Sequence, residues 1–509
     1  MKLWYIQCQS FFYGLFFDIV TCMSTYEIVV GLEVHSELNT KTKMFCDSKN
    51  DPNERHPNIN ICPICMGHPG TLPVINAEAV KKVMKIGLAM HGEISEFSQF
   101  DRKQYFYPDL PKGYQISQYK HPIIQGGYLD VPGMNRQVRL TRIHLEEDAG
   151  RLVHEKNDTL VDYNRAGVPL MELVTEPDVR TAEEARAFAE ELQKLLRYTG
   201  VSNADMEKGE MRIEANVSVH RPDEPYGTKV EVKNINSFRA VEKAIRYETE
   251  RQSKILDDGG KVAHETRGWD DEKEITVSQR KKEEANDYRY FPEPDLPPLK
   301  FTYQMIEEVL KSLPELPAAK RERFEKEYAL SGASVESIIS DTRKASFFEQ
   351  SLSELTAALA DASSDKKKVG AQLLVNYLTS DLANLLNEAS ASIDDTRISP
   401  KNFAELISLL ISGHITSAVA KGVLREMFQT GGVASSIVKE KNLGVSSDTG
   451  EIERVVEKVI TSFEKPAADY RAGKTPALQF LIGQAMKELR GRSNPDTLKE
   501  LFIRKLSGL

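Results

Sequence analysis

The sequence predicts an α+β protein, with a sheet-rich first half and a helical second half. In residues 26–295, short stretches alternate between apolar and polar residues and are separated by Gly/Pro turns, which is typical of strands with one buried face. The clearest helix of this half is Ala182–Tyr198. Beyond it, apolar residues such as Met305, Val309 and Leu313 recur at helical spacing.

Two breaks divide this chain, whose 509 residues exceed what one hydrophobic core usually spans. The segment EPDLPPLKF (293–301) lies in a proline-rich stretch that is typical of a domain boundary. A Ser/Asp-rich break, SASIDDTRISP (390–400), separates two helical regions. We therefore expect domains at 26–295, 296–398 and 399–509.

The N-terminal segment MKLWYIQCQSFFYGLFFDIVTC is apolar and aromatic but does not fit a targeting signal. Gln7, Gln9 and Asp18 interrupt its apolar run, which argues against a signal peptide and against a membrane span of about 20 residues. A transit peptide would be rich in Arg, and this segment has none. We expect Met23 to be the natural start and residues 1–22 to be an upstream extension, so that residues 1–25 precede the first domain.

Composition narrows the class of protein. Charged residues make up 28% and hydrophobic residues 40%, as in ordinary globular proteins, and no later segment is apolar enough to span a membrane. The net charge of −9 argues against a general nucleic-acid coat but allows a local basic patch. Five cysteines do not form a disulfide framework, so a reducing, cytoplasmic location is expected.

Candidate catalytic side chains lie on the polar face of a predicted strand, EIVVGLEVHSEL (27–38). Alternation places Glu33 and His35 on one face, about 6.6 Å apart at roughly 3.3 Å per residue. A carboxylate and an imidazole so placed could hold Mg²⁺ or a phosphate-bound water. The alternative is a solvated strand face.

Two further segments carry acidic residues in unusual settings. In RLTRIHLEED (139–148), Glu146, Glu147 and Asp148 are adjacent and repel one another unless a cation is near. In VPLMELV (168–174), Glu172 lies within an apolar run, where an unpaired charge is costly, so a base or a metal should face it. An acidic loop end and a buried structural ion pair are the respective alternatives.

The cysteines outline an incomplete metal site. Cys62 and Cys65 have the CxxC spacing of a zinc knuckle, and Cys46 lies upstream. A closed four-thiol site lacks its fourth ligand, which His56, His68 or an Asp could supply. Zinc is therefore possible, and free, partly buried thiols are the alternative.

Familiar nucleotide and nucleophile motifs are absent from the sequence. It contains no G-x-x-x-x-G-K-[ST], no G-x-G-x-x-G and no G-x-S-x-G. If ATP binds, another scaffold must hold it. Hydrolysis of an amide donor is not expected on this chain.

Eight stretches, in order along the chain, resemble the B-subunit family of the tRNA-dependent aspartyl/glutamyl amidotransferases. They are VVGLEVHSELNTKTKMFC (29–46), CPICMGHPGTLPVIN (62–76), FDRKQYFYPDLPKGYQISQ (100–118), RIHLEEDAGRLVHE (142–155), DYNRAGVPLMELVTEPD (162–178), GTKVEVKNINSFRAVEKAI (227–245), DYRYFPEPDLPPL (287–299) and DYRAGKTPALQFLIGQAMKELRGRSNP (469–495). The resemblance covers essentially residues 26–509.

This resemblance implies a kinase-like cradle domain, a helical domain and a small all-α tail domain that contacts tRNA. It implies a ligase that uses ATP and Mg²⁺ to phosphorylate the side-chain carboxylate of Glu-tRNA(Gln) or Asp-tRNA(Asn). Ammonia from a partner amidase (glutaminase) subunit then gives the amide. A small third subunit completes the implied heterotrimer.

The resemblance also assigns roles to residues. Glu33, His35, Glu146 and Glu172 look like catalytic residues, with Mg²⁺ at His35, Glu33 and Glu146. Nucleotide- or substrate-binding residues come from the DRKQYFYPD, LPKGYQ and KNINS motifs. They are Lys103, Tyr105, Tyr107, Lys112, Tyr114, Lys233, Asn234 and Ser237.

The chain departs from the family pattern at two places. Family members often have Cys-x-Cys where this chain has Cys46-Asp47-Ser48, which puts zinc in doubt. In MRIEAN (211–216), Glu214 stands where Asp is more frequent.

The C-terminal segment is basic although the whole chain is acidic. From Arg471 onward, eight Lys/Arg oppose three acids, a balance of 8 − 3 = +5. This asymmetry favours an RNA contact, with a solvated helix face as the alternative. The expected tRNA-binding residues are Arg471, Lys474, Lys487, Arg490 and Arg492.

A non-enzymatic tRNA-binding assembly module is the rival function. Convergent acids near bound nucleic acid would repel its phosphates, so their clustering would favour the enzyme.

Overall fold

The computed structural model describes residues 26–281, 288–445 and 449–507. Residues 1–25, which include the predicted extension, therefore lie outside the described residues. The chain forms two compact units, the first ending at Leu316 and the second beginning at Pro317. The predicted mixture of a sheet-rich first half and a helical second half is confirmed.

The first unit contains all the strands of the described residues. They are β1 (Glu27–Glu37), β2 (Glu93–Ile94), β3 (Phe97–Ser98), β4 (Asp101–Gln104), β5 (Tyr114–Ser117), β6 (Ile124–Gln125), β7 (Tyr128–Leu129), β8 (Val138–Glu147), β9 (Arg151–His154), β10 (Thr159–Asp162), β11 (Pro169–Thr175), β12 (Met211–His220), β13 (Val230–Ile235), β14 (Glu265–Asp270), β15 (Ile275–Lys281), β16 (Phe291–Pro292) and β17 (Leu299–Lys300). Its helices are α1 (Ala77–Ala89), α2 (Ala182–Tyr198), α3 (Phe238–Asp257) and α4 (Tyr303–Lys311).

A ten-stranded sheet organises this unit, in the order β15-β14-β13-β12-β1-β11-β8-β6-β2, with β7 paired to β8. The pairs along this order are antiparallel except β13 with β14. The strand β1 therefore lies near the middle of the sheet, between β12 and β11. Its alternating sequence gives one apolar and one polar face, which places Glu33 and His35 centrally on the polar side.

Helices cover the apolar face of the sheet. The predicted helix α2 is confirmed, and it begins where Thr181 accepts a hydrogen bond from the backbone N–H of Glu184. Its stripe residues Phe188 and Leu192 are fully buried in the same core as Val34 of β1.

The proline-rich segment and the helix that follows it also belong to this core. Leu296, Phe301 and Val309 are buried in it. The first unit therefore continues past the predicted boundary at 295, because these side chains pack against the sheet-and-helix core that precedes them.

The described part of the second unit is helical. Its helices are α5 (Pro317–Tyr328), α6 (Gly332–Ile339), α7 (Thr342–Ala358), α8 (Ser364–Asn376), α9 (Ala383–Glu388), α10 (Pro400–Ile411), α11 (Ser417–Thr430), α12 (Ala434–Glu440), α13 (Thr449–Ser462), α14 (Glu464–Arg471), α15 (Pro476–Glu488) and α16 (Pro495–Leu506), with a π-helical turn at Tyr377–Leu382 and a 3₁₀ turn at Ile393–Asp395. The predicted break at 390–400 contains the 3₁₀ turn and ends where Ser399 caps α10. The division into three domains stays a prediction.

The four C-terminal helices, α13 to α16, share a small core of their own that includes Val456, Leu481 and Phe502. Among the described helices of the chain, none has the length and apolar character needed to cross a membrane.

Candidate active site

A row of polar side chains crosses four neighbouring strands of the large sheet. His35 of β1 lies opposite Arg212 of β12 on one side and Glu172 of β11 on the other, and Glu172 lies opposite His144 of β8. The next residue on each strand points to the other face, and Val34 there is fully buried. The fold therefore needs apolar residues on one face only, which leaves the other available for chemistry.

The imidazole of His35 lies at the centre of three carboxylates. Its Nε2 atom is 3.5 Å from Glu172 Oε2, 3.7 Å from Glu146 Oε1 and 3.8 Å from Glu33 Oε1. His144 Nε2 lies 3.4 Å from the same Glu172 oxygen and 3.9 Å from Glu146 Oε2. The four residues predicted to be catalytic are thus brought together, although their strands are far apart in sequence.

The donor atoms of this cluster suit a divalent cation. Two groups that share Glu172 have ligand atoms within 4.8 Å of one another: Glu33 with His35, and His144 with Glu146. Carboxylate oxygens are the ligands that Mg²⁺ prefers, with water and substrate phosphates completing its shell. The carboxylates therefore suit the Mg²⁺ that the family resemblance implies, but the predicted ligands Glu33, His35 and Glu146 do not form one such group, because Glu172 takes the place of Glu146 beside Glu33 and His35.

His144 was missed as a site residue in the sequence, although a signal was present. It precedes Glu146 by two residues on β8, so both side chains project from the same face. His144 is 3% exposed and faces the shared carboxylate Glu172, which Arg142 also contacts at 3.4 Å. The base expected to face Glu172 is thus represented by two histidines and an arginine.

Burial and crowding shift the pKa values of the cluster in opposite directions. Burial, and next the charge of Glu172, raise the pKa of Glu33 to about 7. Burial opposes protonation of His35, but its hydrogen bond to Glu172 and the surrounding carboxylates prevail and raise its pKa to about 9. Glu172 itself keeps a pKa below its usual range, because His144 and His35 outweigh the effect of burial. At neutral pH the cluster therefore holds protons that a bound cation must displace.

Cation affinity should consequently rise with pH. Because Glu33 loses its proton near pH 7 and His35 near pH 9, we expect Mn²⁺ binding to strengthen progressively from about pH 6 to pH 9. Electron paramagnetic resonance titration of free Mn²⁺ would measure this dependence. His35→Asn should lose the upper part of the rise, and a pH-independent affinity in the wild type would contradict the expectation.

Lys103 and Tyr105, two of the residues predicted to bind nucleotide or substrate, lie near the acidic cluster. Lys103 is on β4, and its Nζ atom is 5.4 Å from the centre of the Tyr288 ring and 5.9 Å from that of Tyr105. Burial opposes its charge, but Glu146, Tyr290 and other neighbours raise the pKa of Lys103 above its usual range. A permanent positive charge therefore lies next to the carboxylates.

The other predicted pocket residues on this side have separate surroundings. Lys112 Nζ donates to Glu147 Oε2 at 2.6 Å, and Glu147 Oε1 also accepts from the backbone N–H of Ile116. The Tyr114 ring stacks under the Arg102 guanidinium, 4.4 Å from its centre. Tyr107 is 62% exposed and lies on the loop between β4 and β5.

The KNINS motif places one charge near the cluster. Lys233 Nζ donates to Glu214 Oε2 at 2.8 Å, and Glu214 lies opposite Glu33 in the sheet. Ser237 caps α3 by accepting from the backbone N–H of Ala240, so it has a local structural role. Asn234 adopts a left-handed backbone conformation (φ 64°) at the end of β13.

The three predicted cysteine ligands also converge, but their surroundings do not complete a zinc site. The thiol sulfurs of Cys46, Cys62 and Cys65 lie within 4.8 Å of one another. Facing Cys65 Sγ are Ser48 Oγ and the buried ammonium of Lys43, each at 3.8 Å. A lysine ammonium has no lone pair for a metal and repels one, so these residues do not fit a closed four-ligand zinc site.

Serine at position 48 gives this conclusion a direct test. We expect the purified chain to contain no stoichiometric zinc, and Ser48→Cys to bind about one zinc per chain, since it supplies a fourth thiol. Zinc released on thiol modification would be measured colorimetrically. Ser340→Cys, an exposed position in the second unit, is the matched control for an added thiol. One zinc per wild-type chain would contradict the expectation.

The basic tail is partly neutralised by a helix that precedes it. Arg492 pairs with Glu451 at 2.9 Å, and Lys474 pairs with Asp469 at 2.9 Å. Arg471 donates to the backbone carbonyl of Leu506. The surplus charge counted from residue 471 onward is therefore smaller on the folded surface, because α13 contributes acids that the count omits.

Two of the predicted tRNA-binding residues keep their charge available. Within the described segments, the side chains of Lys487 and Arg490 show no ion pair. Lys487 lies in the last turn of α15, and Arg490 lies two residues after the helix. Both charges are therefore at the C-terminal end of this helix. These two residues are the best placed of the five for a phosphate backbone.

The fold and the cluster define a protein whose sheet has one face in the apolar core and, on the other face, acidic and histidine side chains whose donor atoms suit a divalent cation. Two family models match it: the GatB/GatE catalytic domain over residues 28–307 and the GatB domain over residues 358–506. The chain therefore belongs to the GatB family, the B subunits of the aspartyl/glutamyl-tRNA amidotransferases.

Similarity to curated relatives extends over nearly the whole chain. The B subunit of the aspartyl/glutamyl-tRNA(Asn/Gln) amidotransferase of Carboxydothermus hydrogenoformans is 46% identical over 495 residues, covering 96% of this chain and all of the relative. The protein of the same name from Persephonella marina is 45% identical over 94% of this chain and 98% of its own length. That from Caldanaerobacter subterraneus subsp. tengcongensis is 46% identical over 95% and 99%.

Proposed function

We propose that this chain, with an amidase subunit and a small third subunit, converts misacylated Glu-tRNA(Gln), Asp-tRNA(Asn) or both into the correctly amidated tRNAs. The names of its relatives supply the substrates and the multi-subunit character. The observation that carries the chemistry is the convergence of Glu33, His35, Glu146 and Glu172 on the polar face of the sheet. An adaptor that only held tRNA would gain nothing from carboxylates that repel phosphates.

The proposed reaction has two steps. An oxygen of the substrate's side-chain carboxylate attacks the γ-phosphorus of ATP, and ADP leaves. Ammonia, released from glutamine by the amidase partner, then attacks the acyl carbon, and phosphate leaves to give the amide. The overall reaction forms a carbon–nitrogen bond at the expense of ATP, which makes the enzyme a ligase.

Residues of the cluster would act by holding and neutralising charge. Glu33, His35 and Glu172, whose ligand atoms lie within 4.8 Å of one another, would bind Mg²⁺, and Glu146 would add its charge beside His35. The bound ion would offset the charge of the phosphates during transfer. Lys103, whose ammonium lies near Glu146, would contact a phosphate oxygen of the bound nucleotide.

Other parts of the chain would serve the macromolecular substrate. Lys487 and Arg490 would contact the tRNA backbone, where each neutralised phosphate contributes to a salt-dependent affinity. We place the complex in the cytoplasm, because the three described cysteines are free thiols and tRNA, ATP and glutamine meet there.

The test uses the chain purified together with its partner subunits. Glu-tRNA(Gln) or Asp-tRNA(Asn) is supplied with Mg·ATP and either glutamine or ammonia, and the amino acid released from the tRNA is identified. ATP-dependent appearance of Gln or Asn would support the proposal and identify the substrate. Tight tRNA binding without amide formation or ATP consumption would instead support the assembly-module function.

A further inference from the structure

Four tyrosine rings run from the acidic cluster to the surface. Tyr105 contacts Tyr288 edge-on with ring centres 6.0 Å apart, and Tyr288 contacts Tyr290 in the same way, also at 6.0 Å. Tyr290 then stacks in parallel on Tyr119, with centres 4.4 Å apart and planes inclined by 10°. At its inner end this series borders Lys103, whose ammonium lies beside the first two rings.

The inner rings are electrostatically close to the proposed chemistry. Burial raises the pKa of Tyr290 to about 12, and Glu146 and Glu172 add to the shift against the opposing effect of Lys103. Tyr290 is therefore within the field of the cation-binding carboxylates. Tyr119, at the outer end, is 53% exposed and is absent from the hydrophobic core.

The backbone that carries the outer ring, Tyr119, is nevertheless held by hydrogen bonds to buried residues. The backbone N–H of Tyr119 donates to Asp101 Oδ2 at 3.0 Å. The preceding residue, Gln118, is 2% exposed; its amide donates to Ser98 Oγ at 2.6 Å and accepts from the backbone N–H of Leu145 at 3.0 Å. An exposed aromatic ring that only filled space would not need a backbone fixed to the strand that carries Glu146.

A parallel stack of a half-buried ring and an exposed ring leaves an aromatic surface for a third ring. Tyr290 stacks on one face of Tyr119, and about half of the Tyr119 surface (53%) is nevertheless exposed. Nucleic-acid bases stack on such surfaces because every base has a π-face, and the stack needs no charged partner. Both ATP and the 3′ end of aminoacyl-tRNA present an adenine at a short distance from the group that reacts.

We propose that Tyr119, supported by Tyr290, is a stacking platform for the adenine base of a substrate whose reactive end reaches the acidic cluster. The platform rests on the proposed function and makes Tyr119 a positioning residue. The base belongs either to ATP or to the terminal nucleotide of the tRNA, and the two sources have different kinetic signatures.

The test measures steady-state kinetics of the complete complex with ATP and aminoacyl-tRNA varied separately. Tyr119→Ala should raise the KM for one of the two substrates about tenfold, while kcat and the other KM change less than about twofold. A change in the KM for ATP assigns the adenine of ATP. A change in the KM for tRNA that disappears with tRNA ending in cytidine assigns the terminal adenine. Tyr119→Trp should keep the wild-type values, because it retains an aromatic face.

Tyr303→Ala is the matched control, since Tyr303 is 81% exposed on α4 and lies outside the series of four tyrosine rings. If Tyr119→Ala leaves both KM values unchanged while its thermal unfolding matches the wild type, the platform is refuted. An equal rise in both KM values with a fall in kcat would indicate displacement of the whole site and would also refute it.

Direct binding separates this result from failure of the proposed function. Equilibrium dialysis with ATP and filter binding with uncharged tRNA need no turnover. If the wild-type complex makes no amide, the proposed function fails, yet a weaker affinity of Tyr119→Ala for one of these two probes would still support the platform. Unchanged affinity for both would overturn it.

Discussion

Glu146→Gln should lower the rate of amide formation by about a hundred- to a thousandfold while leaving tRNA affinity within about twofold. Glu146 is 2% exposed and lies within 4 Å of both histidines of the cluster. Glutamine keeps the shape and can still accept the hydrogen bond from Ser117 Oγ, which is 3.1 Å from Glu146 Oε2. Only the charge is lost, and with it the attraction for a divalent cation that offsets the phosphate charge.

The measurements are ADP formation, amide formation and filter binding of tRNA by the same complex. Glu176→Gln is the matched control, because Glu176 also accepts a hydroxyl hydrogen bond, from Thr141 Oγ1 at 2.7 Å, but lies outside the cluster. Its rates should equal those of the wild type. Parallel loss of tRNA binding and amide formation in Glu146→Gln would show that the residue supports the fold rather than the chemistry.

Arg212→Met should lower the free energy of unfolding by about 3–5 kcal/mol, the cost of leaving a buried carboxylate without its main partner. Arg212 donates to Asp148 Oδ2 at 2.7 Å, and Asp148 is 4% exposed. Arg165 Nε lies farther away, at 3.6 Å, and cannot replace it fully. Methionine retains much of the arginine's apolar volume, so the change isolates the charge.

The pH dependence of this loss identifies its cause. Burial opposes ionisation of Asp148, but Arg212 and Arg165 prevail and lower its pKa to about 2. A lowered carboxylate pKa stabilises the native state above the unfolded pKa of about 4, and that stabilisation disappears as pH falls through about 2. The stability difference between wild type and Arg212→Met should therefore be complete at neutral pH and shrink in the acid range, where Asp148 becomes protonated first in the variant and only near pH 2 in the wild type.

Urea unfolding across this pH range would measure the difference. Arg139→Met removes the cation from the more exposed pair with Asp178 and should change stability far less, because solvent screens that pair. A difference that stays constant down to acid pH would mean that lost packing, and not the buried charge, explains the destabilisation.

Much of the sheet and part of the site follow from local patterns. Alternation in 27–38 predicts both the strand and the common face of Glu33 and His35, because side chains in a strand repeat with a period of two. The apolar run around Glu172 likewise predicts a charged partner, since isolated buried charge is costly. What local patterns cannot provide is the order of the strands. The meeting of His35 with Glu172 depends on β1 pairing with β11, whose residues lie far along the chain.

Other features were missed for the same physical reason. The stack of Tyr119 on Tyr290 joins two segments separated by most of the first unit, and nothing in either segment alone specifies the other. The charge count over the tail omitted α13, because Glu451 and Arg492 become neighbours only through helix packing. The sequence around Lys43 likewise did not predict that its ammonium lies 3.8 Å from Cys65 Sγ. Each of these contacts is decided by tertiary packing and not by local propensity.

The row of side chains across β12, β1, β11 and β8 has a consequence for biosynthesis. His35 emerges from the ribosome early, but its opposite neighbour on β12, Arg212, emerges only after β8 and β11 have been made. A nascent chain that ends before β12 therefore exposes carboxylates without their arginine and leaves one edge of β1 unpaired. Such an edge is prone to pair with other chains. Ribosome pausing or truncation between β11 and β12 should for this reason produce the most aggregation-prone fragments of the protein, and synthesis through β12 should relieve it.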